Sequence, residues 1–551
     1  MKKLAFLTIV ALFSLNSFSQ SEGQLHGSFQ LDAQYYANDS LIGAVVPKEL
    51  TGINSYANFN YTKGAFKAGI RYETYLPPLN GFDSRYRGQG IPYMYASYVA
   101  DGLEVTVGNF YEQFGTGLIL RSYEEKNLGY DNAFNGISVR YAVTSGIMVK
   151  ALMGSQRSFW DNKGNVKGVD GEFSLNQLVP CLKESKTSII LGSSFVSKYQ
   201  VDNSSLYYLP ENVGASAYRL QINRGKVAVS GEYAIKINDP SSDNGFIYKN
   251  GEALVFNASF SQKGLGVLLT AKRIDNMSFR ADRSALISDL NINYVPDITR
   301  VHTYSLASMY PYATQLKGEA GLRGEINYTF KKESLLGGKY GTFLSINYTR
   351  MANISKEAVN DTIKIGEPGT LGYTASSGNY FSELFSDDLF YQDLNFELTK
   401  KISKKFKGVF TYINHQYNND IIHGANSVET QGIIKSNIII ADITYKHKPR
   451  TAYRLELQHL ATEDDYGNWA AAVLEISIPQ WFFTLINLYN YGNVNEDQKL
   501  HYPKFAVGYN RGANTFTIAY GRQKAGVVCV GGVCRAVPAS SGLSLSIVSS
   551  F

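Results

Sequence analysis

Gly542-Leu543-Ser544-Leu545-Ser546-Ile547-Val548-Ser549-Ser550-Phe551 ends the 551-residue chain. Successive side chains of an extended backbone point to opposite faces. Leu543, Leu545, Ile547 and Phe551 therefore share one face, and Ser544, Ser546 and Ser550 share the other. An amphipathic strand of about ten residues has the length that a tilted strand needs to cross a bilayer.

The same period-2 pattern recurs along the chain. Tyr218, Leu220 and Ile222 alternate with Arg219, Gln221 and Asn223. Leu322, Ile326, Tyr328 and Phe330 oppose Arg323, Glu325, Asn327 and Thr329, with Gly324 in the apolar phase. Leu394, Phe396 and Leu398 alternate with Asp393, Asn395 and Glu397. Tyr453, Leu455 and Leu457 alternate with Arg454, Glu456 and Gln458, and Ile70 and Tyr72 with Arg71 and Glu73. We count about 23 such segments, most of them longer than the five or six residues usual in soluble sheets. After residue 20 nothing approaches about 18 consecutive apolar residues, so any membrane crossing falls to strands. Strands satisfy every backbone group in lipid only as a closed barrel. The expectation is an all-β, transmembrane antiparallel β-barrel of roughly 16 to 22 strands.

At the other end of the chain, Lys2 and Lys3 precede an apolar run from Leu4 to Leu15 and then Asn16-Ser17-Phe18-Ser19. This is the layout of a secretory signal, with cleavage expected after Ser19. The run is too short for a membrane helix, and no Cys follows it to take a lipid anchor. The expected organisation is a signal peptide at 1–19 and one barrel domain at 20–551, placed in the cell outer membrane.

Composition agrees with that reading. Removing Lys2 and Lys3 from 53 basic residues leaves 51 against 47 acidic ones, too even a balance for a nucleic-acid partner. The 40 Tyr, 30 Phe and 50 Gly spread evenly along the chain, which fits one repetitive β architecture better than several soluble domains. A large secreted sandwich or propeller is the alternative, since alternation alone does not say which face meets lipid. Short turns such as Thr62-Lys63-Gly64, Asn223-Arg224-Gly225 and Gln262-Lys263-Gly264 contrast with long polar stretches at 155–186, 197–215, 275–316 and 351–388, which we expect to be external loops.

The closing decapeptide resembles the last strand of bacterial outer-membrane barrels. That resemblance implies that Phe551 is the signal read by the barrel-assembly machinery. The whole chain, including Gly108-Asn-Phe-Tyr-Glu-Gln-Phe-Gly-Thr-Gly117 and the region of Cys529-Val-Gly-Gly-Val-Cys534, resembles an uncharacterised family of Bacteroidota outer-membrane barrels. It implies location and fold, and brings no catalytic or binding residue with it.

Three segments invite a chemical reading. In Cys529-Val530-Gly531-Gly532-Val533-Cys534 the Gly-Gly pair suits a two-residue hairpin turn that sets Cys529 opposite Cys534. Non-hydrogen-bonded partners lie ~4.5 Å apart at Cα, within disulfide range. A staple across an external hairpin is expected, with Cys181 left as a free thiol; redox or metal chemistry has no neighbouring His to support it. Residues 112–127 break alternation and bring together Arg121, Glu124, Glu125 and Lys126, which reads as a lumen constriction or as a solvated loop. Gly115-Thr116-Gly117 lacks the Lys of a phosphate loop and reads as a bend. The seven His residues form no HExxH, no GxSxG elbow occurs, and Asp387-Asp388 and Glu463-Asp464-Asp465 read as ordinary acidic loops. No catalytic residue, metal or cofactor is expected.

Arg323, Glu325, Arg454 and Glu456 join residues 121–126 as lumen or constriction candidates. The first functional expectation is a channel or transporter for small polar solutes. The alternative is a non-catalytic barrel subunit of an outer-membrane assembly, secretion or surface complex. The expected partners are outer-membrane lipids, the assembly machinery and other envelope proteins.

Overall fold

A computed structural model of the chain describes residues 23–285, 289–375, 380–423, 431–530 and 533–551. The expected signal at 1–19 lies outside these residues. Twenty-four antiparallel strands make one sheet, each bonded to the strands before and after it. Gln24–Ala37 pairs with Thr51–Lys63 on one side and with Ser540–Ser550 on the other, so the sheet closes without an edge.

The barrel read from alternation is the observed architecture. Its 24 strands exceed the expected range and lie close to the number of alternating segments. The stretch 155–186, expected as a loop, contains the strand Asp161–Ser174. Its upper half, Asp161–Lys167, is exposed at nearly every position, so both faces meet water and no apolar phase is needed there. The stretch 197–215 likewise contributes residues to the strands ending at Tyr199 and beginning at Asn212.

The exterior identifies the solvent. Val107, Ile137 and Met153 stand side by side on three successive strands and are 41–55% exposed. A continuous row of that kind is stable only against lipid. Turns 101–102, 225–226, 263–264 and 512–513 mark one end of the barrel. Near that end Phe66 packs on Tyr98 with centroids 5.0 Å apart, Phe406 on Tyr445 at 4.6 Å and Trp481 on Tyr509 at 4.7 Å. A second belt includes Tyr35 and Tyr520, which flank Leu543. Between Gly27, which bonds to Phe551, and Tyr35 runs about 26 Å of strand at ~3.3 Å per residue. Tilt reduces this to about 20 Å of depth, close to the apolar band of membrane barrels. The chain is an integral outer-membrane β-barrel in architecture, with its short turns on the periplasmic side.

The seam between the first and last strands is closely fitted. Phe551 donates its N–H to Gly27 O at 3.0 Å and accepts from Gly27 N at 2.9 Å, and its ring lies 6.2 Å from that of Phe59. Near the other end of the seam, Gly542 has φ +140°, and a Cβ there would lie 2.0 Å from the backbone O of Tyr35. We expect Gly542→Val to cost roughly 3 kcal/mol or more. The heat-modifiable folded band on a gel is then largely lost, whereas Gly408→Ala, where nothing lies within 4 Å, keeps it.

Two long loops do not stay outside. Residues 111–133, 276–285 and 289–317 fold back into the barrel and form a plug. Phe114, Leu118, Ile119 and Leu120 are fully buried with Met277, Phe279 and Ile292 against the wall residues Val196, Ala217 and Ile274. Leu306, Tyr310 and Tyr312 pack on a second sector of the wall against Tyr391, Tyr417, Ile438 and Leu460. The expectation of an external polar loop at 275–316 is thereby corrected. Its apolar residues follow no period because the segment is irregular, and several of its polar residues bond to the wall, as Arg300 does to Glu397 and His302 to Asp393.

Candidate functional site

Three lysines hold the plug by its backbone. Lys198, Lys236 and Lys272 project inward from the strands Thr187–Tyr199, Val227–Lys236 and Leu265–Asp275, each at most 1% exposed. They donate to Arg280 O at 2.8 Å, Ser278 O at 2.7 Å and Pro296 O at 2.8 Å. Lys198 also pairs with Asp239 at 2.6 Å and Lys272 with Glu319 at 2.5 Å, which compensates their burial. The other loop is fixed at its tip by Thr116 N–H donating to Glu232 Oε2 at 2.7 Å. Gly115 and Gly117 have φ +53° and +101°, so the glycines read as bends are the turn that lets this tip reach the wall.

A buried ionic cluster anchors the same loop higher in the barrel. Arg157 contacts Glu73 at 2.6 Å and Asp131 at 2.7 Å, and Arg71 contacts Glu73 at 2.6 Å, Glu124 at 2.9 Å and Asp131. Burial raises the pKa of Asp131, but Arg157 and Arg71 outweigh it and hold the carboxyl below its ordinary value. Glu124 goes the other way: burial lifts its pKa further than Arg71 lowers it. Carboxylate oxygens of Glu73, Glu124 and Asp131 lie within 4.8 Å of one another, a grouping suited to a cation. The two guanidinium groups already occupy that role.

The residues singled out in the sequence fall into separate places. Arg121 lies over the rings of Tyr123 and Tyr294, at 4.8 and 4.0 Å, and its N–H bonds to Ile292 O at 2.9 Å, joining the two plug loops. Glu124 is in the ionic cluster, and Glu125 accepts from Asn127 N at 3.2 Å within its own turn. Lys126 lies 4.7 Å from the ring of Tyr56. Arg323 pairs with Glu325 and donates to Asn347 Oδ1 at 2.8 Å. Arg454 pairs with Glu456, with Asp442 at 3.0 Å and with Glu475 at 2.9 Å. Arg323 and Arg454 belong to the barrel wall, so these eight residues do not form one ring. The acidic loop runs have structural partners too: Asp388 accepts from Asn353 Nδ2 at 2.7 Å and Asp465 from Tyr310 OH at 3.0 Å. His302 meets Asp393 at 2.5 Å, a pair separated by 91 residues that no local motif announces.

The plug does not fill the lumen. Beside it, against the strands that form the terminal seam, lies a cavity of about 590 Å³. Many of the wall positions there are small or uncharged, Gln30, Asn54, Thr517, Ser544 and Ser546 among them, and Asp32 and Lys504 are the charged ones. Where the opposite walls present bulky side chains to the plug, this sector leaves open space. Lower down, Val548 lies in the same inward phase as Ser544 and Ser546 and is 47% exposed, so the space continues toward the periplasmic end. Lys126 and Asn127 form its plug side, and Val528 and Arg535 of the hairpin Gly526–Val537 cap it. Arg535 donates to Asn127 O at 3.0 Å and stacks 4.2 Å from the ring centre of Phe82; burial lowers its pKa. The serine face of the last strand is legible in its alternation, whereas its place along the passage is not.

A family model described as a family of unknown function, DUF6029, matches residues 1–551. The chain belongs to the DUF6029 family. No curated protein matches the DUF6029 chain. Among solved structures it is similar to the siderophore receptor PirA from Pseudomonas aeruginosa, at 12% identity and TM-score 0.40, with 96% of this chain and 80% of that one covered. It is also similar to the P pilus usher PapC translocation pore, at 8% identity and TM-score 0.44, covering 95% and 99%. OccAB4 from Acinetobacter baumannii shows 10% identity and TM-score 0.34, covering 84% and 99%. Likenesses this distant say nothing about what the DUF6029 barrel moves.

Proposed function

We propose that this barrel is an outer-membrane channel or transporter for small polar solutes, and that solute travels beside the plug rather than through the barrel axis. The observation that carries this reading is the polar cavity of about 590 Å³ between the plug and the terminal seam. The polar lining supplies hydrogen-bond partners to a hydrated solute, and the plug removes the wide central path. The reading includes export through the signal at 1–19, insertion by the barrel-assembly machinery through Phe551, outer-membrane lipid around the wall and an envelope of the Bacteroidota type. No catalysis is part of it.

Single-channel recording of the refolded mature protein in a planar bilayer tests the reading, with heat-modifiable gel mobility as the check that a barrel formed. Small, stable ohmic steps support it. A folded barrel without conductance overturns it in favour of a subunit of an envelope complex.

The proposal also includes the Cys529–Cys534 staple. Cys529 pairs with Cys534 in the register of the hairpin, and the Cys529 side chain lies outside the described residues. Cys181 is free and exposed. Alkylation of the unfolded, unreduced protein is expected to label one cysteine, and labelling after reduction three. Three labels without reduction would remove the staple.

A further inference from the structure

We infer that the passage beside the plug selects small anions, carboxylate-bearing solutes in particular. The inference rests on the channel reading and specifies its substrate class.

It starts from an imbalance of charge. Elsewhere in the lumen several cations are matched by carboxylates: Arg219 by Asp170 at 2.6 Å, Arg300 by Glu397 at 2.6 Å, and Arg454 by three acids. The passage differs, since Lys126, Lys504 and Arg535 line it against the single carboxylate of Asp32. Asp32 already accepts from Gln30 Nε2 at 2.8 Å and from Ser546 Oγ at 2.7 Å. Among the described residues, no carboxylate lies within ion-pair distance of any of the three cations. Glu124, the acid near Lys126, is taken by Arg71 at 2.9 Å.

The three cations reach the passage from three elements, the hairpin, the plug and the wall. Arg535 stands at the capping hairpin, where its guanidinium donates only to the backbone oxygens of Asn127 at 3.0 Å and Asn80 at 3.5 Å. Its Nε is buried without an acceptor. A guanidinium held in place by Phe82, with no acid opposite it, leaves a fixed positive charge at the mouth of the passage. Lys126 follows on the plug side, fixed over Tyr56. Lys504 projects from the strand His501–Arg511 on the wall. The periplasmic rim has the same sign: the segments 331–341 and 401–405 carry Lys331, Lys332, Lys339, Lys401, Lys404 and Lys405 against Glu333. Within low-dielectric walls, such unpaired charge concentrates anions and repels cations. Successive weak sites let an anion enter and leave.

The test is the reversal potential in a planar bilayer under a KCl gradient, followed by potassium acetate. We expect chloride and acetate each to permeate at least about threefold better than potassium. The triple variant Lys126→Gln, Lys504→Gln, Arg535→Gln should still conduct, with its permeability ratio moved to about one or beyond it toward potassium. Lys504→Gln alone, a wall position without an ion-pair partner, serves if the triple variant does not assemble, and shifts the ratio in the same direction. A conducting wild type that is unselective or prefers potassium overturns the anion assignment and leaves the channel standing. A folded barrel with no conductance removes the channel itself, and the assignment with it.

Discussion

Replacing residues 277–316 with a short Gly-Ser turn should raise single-channel conductance roughly tenfold while the barrel stays intact. The strands that flank the segment make this feasible. Asp275 pairs directly with Gly318, and the register between the two strands is unbroken from there to Leu265 and Tyr328, so a hairpin turn can join them. The wall keeps its hydrogen bonds because none of the 24 strands is touched. The lumen loses Phe279, Ile292 and Leu306, which fill it from both sides. Lys198, Lys236 and Lys272 lose their carbonyl acceptors, but the cost is small. They become wetted by the water that enters, and Asp239 and Glu319 still face Lys198 and Lys272. Unchanged conductance in a folded variant would mean that the segment does not close the lumen. Anion preference should also weaken, since most current then flows past the centre rather than along Lys126, Lys504 and Arg535.

Alternation was enough to read the wall. Leu543 and Leu545 against Ser544 and Ser546, or Leu322 and Ile326 against Arg323 and Glu325, state the two faces of a strand locally, and a sheet repeats that statement. It was silent where local pattern carries no constraint. Asp161–Lys167 stands above the membrane with water on both faces, so a genuine strand read as a polar loop. The plug was hidden for the opposite reason. Met277, Phe279, Ile292 and Leu306 are buried by an irregular backbone whose contacts come from strands far away in sequence, and no period marks such a segment. The polar face marks candidate inward residues as a class, but whether an inward arginine is neutralised depends on cross-strand neighbours. Arg454 meets Asp442 and Glu475 from two adjoining strands, whereas Lys504 meets no acid among the described residues. The passage is a property of that difference.

Arg157→Ala should destabilise the folded barrel by about 3–5 kcal/mol, the cost of leaving buried carboxylates without their cation. In the intact cluster three carboxylates, Glu73, Glu124 and Asp131, face two guanidinium groups, Arg71 and Arg157. Removing Arg157 leaves Arg71 alone against all three, and it strips Glu73 of contacts at 2.6 and 2.9 Å and Asp131 of one at 2.7 Å. The carboxylates are too buried for water to replace them. Asp131 has its pKa lowered in the folded state, so its pairing contributes stability above the unfolded value near 4 that is lost as pH falls through the folded pKa. The deficit of the variant should therefore be full at pH 7 and shrink as the pH drops below about 4, where the orphaned carboxyl takes a proton. Melting of the folded gel band with temperature at both pH values measures this, and proteolysis within 111–133 reports release of the loop. Arg85→Ala is the contrast: Arg85 pairs with Asp83 at 2.6 Å and Asp289 at 2.8 Å with its side chain 54% exposed, and should cost well under about 1 kcal/mol. Equal losses from the two substitutions, or a deficit that does not narrow in acid, would show that the buried cluster is not what fixes the plug to the wall.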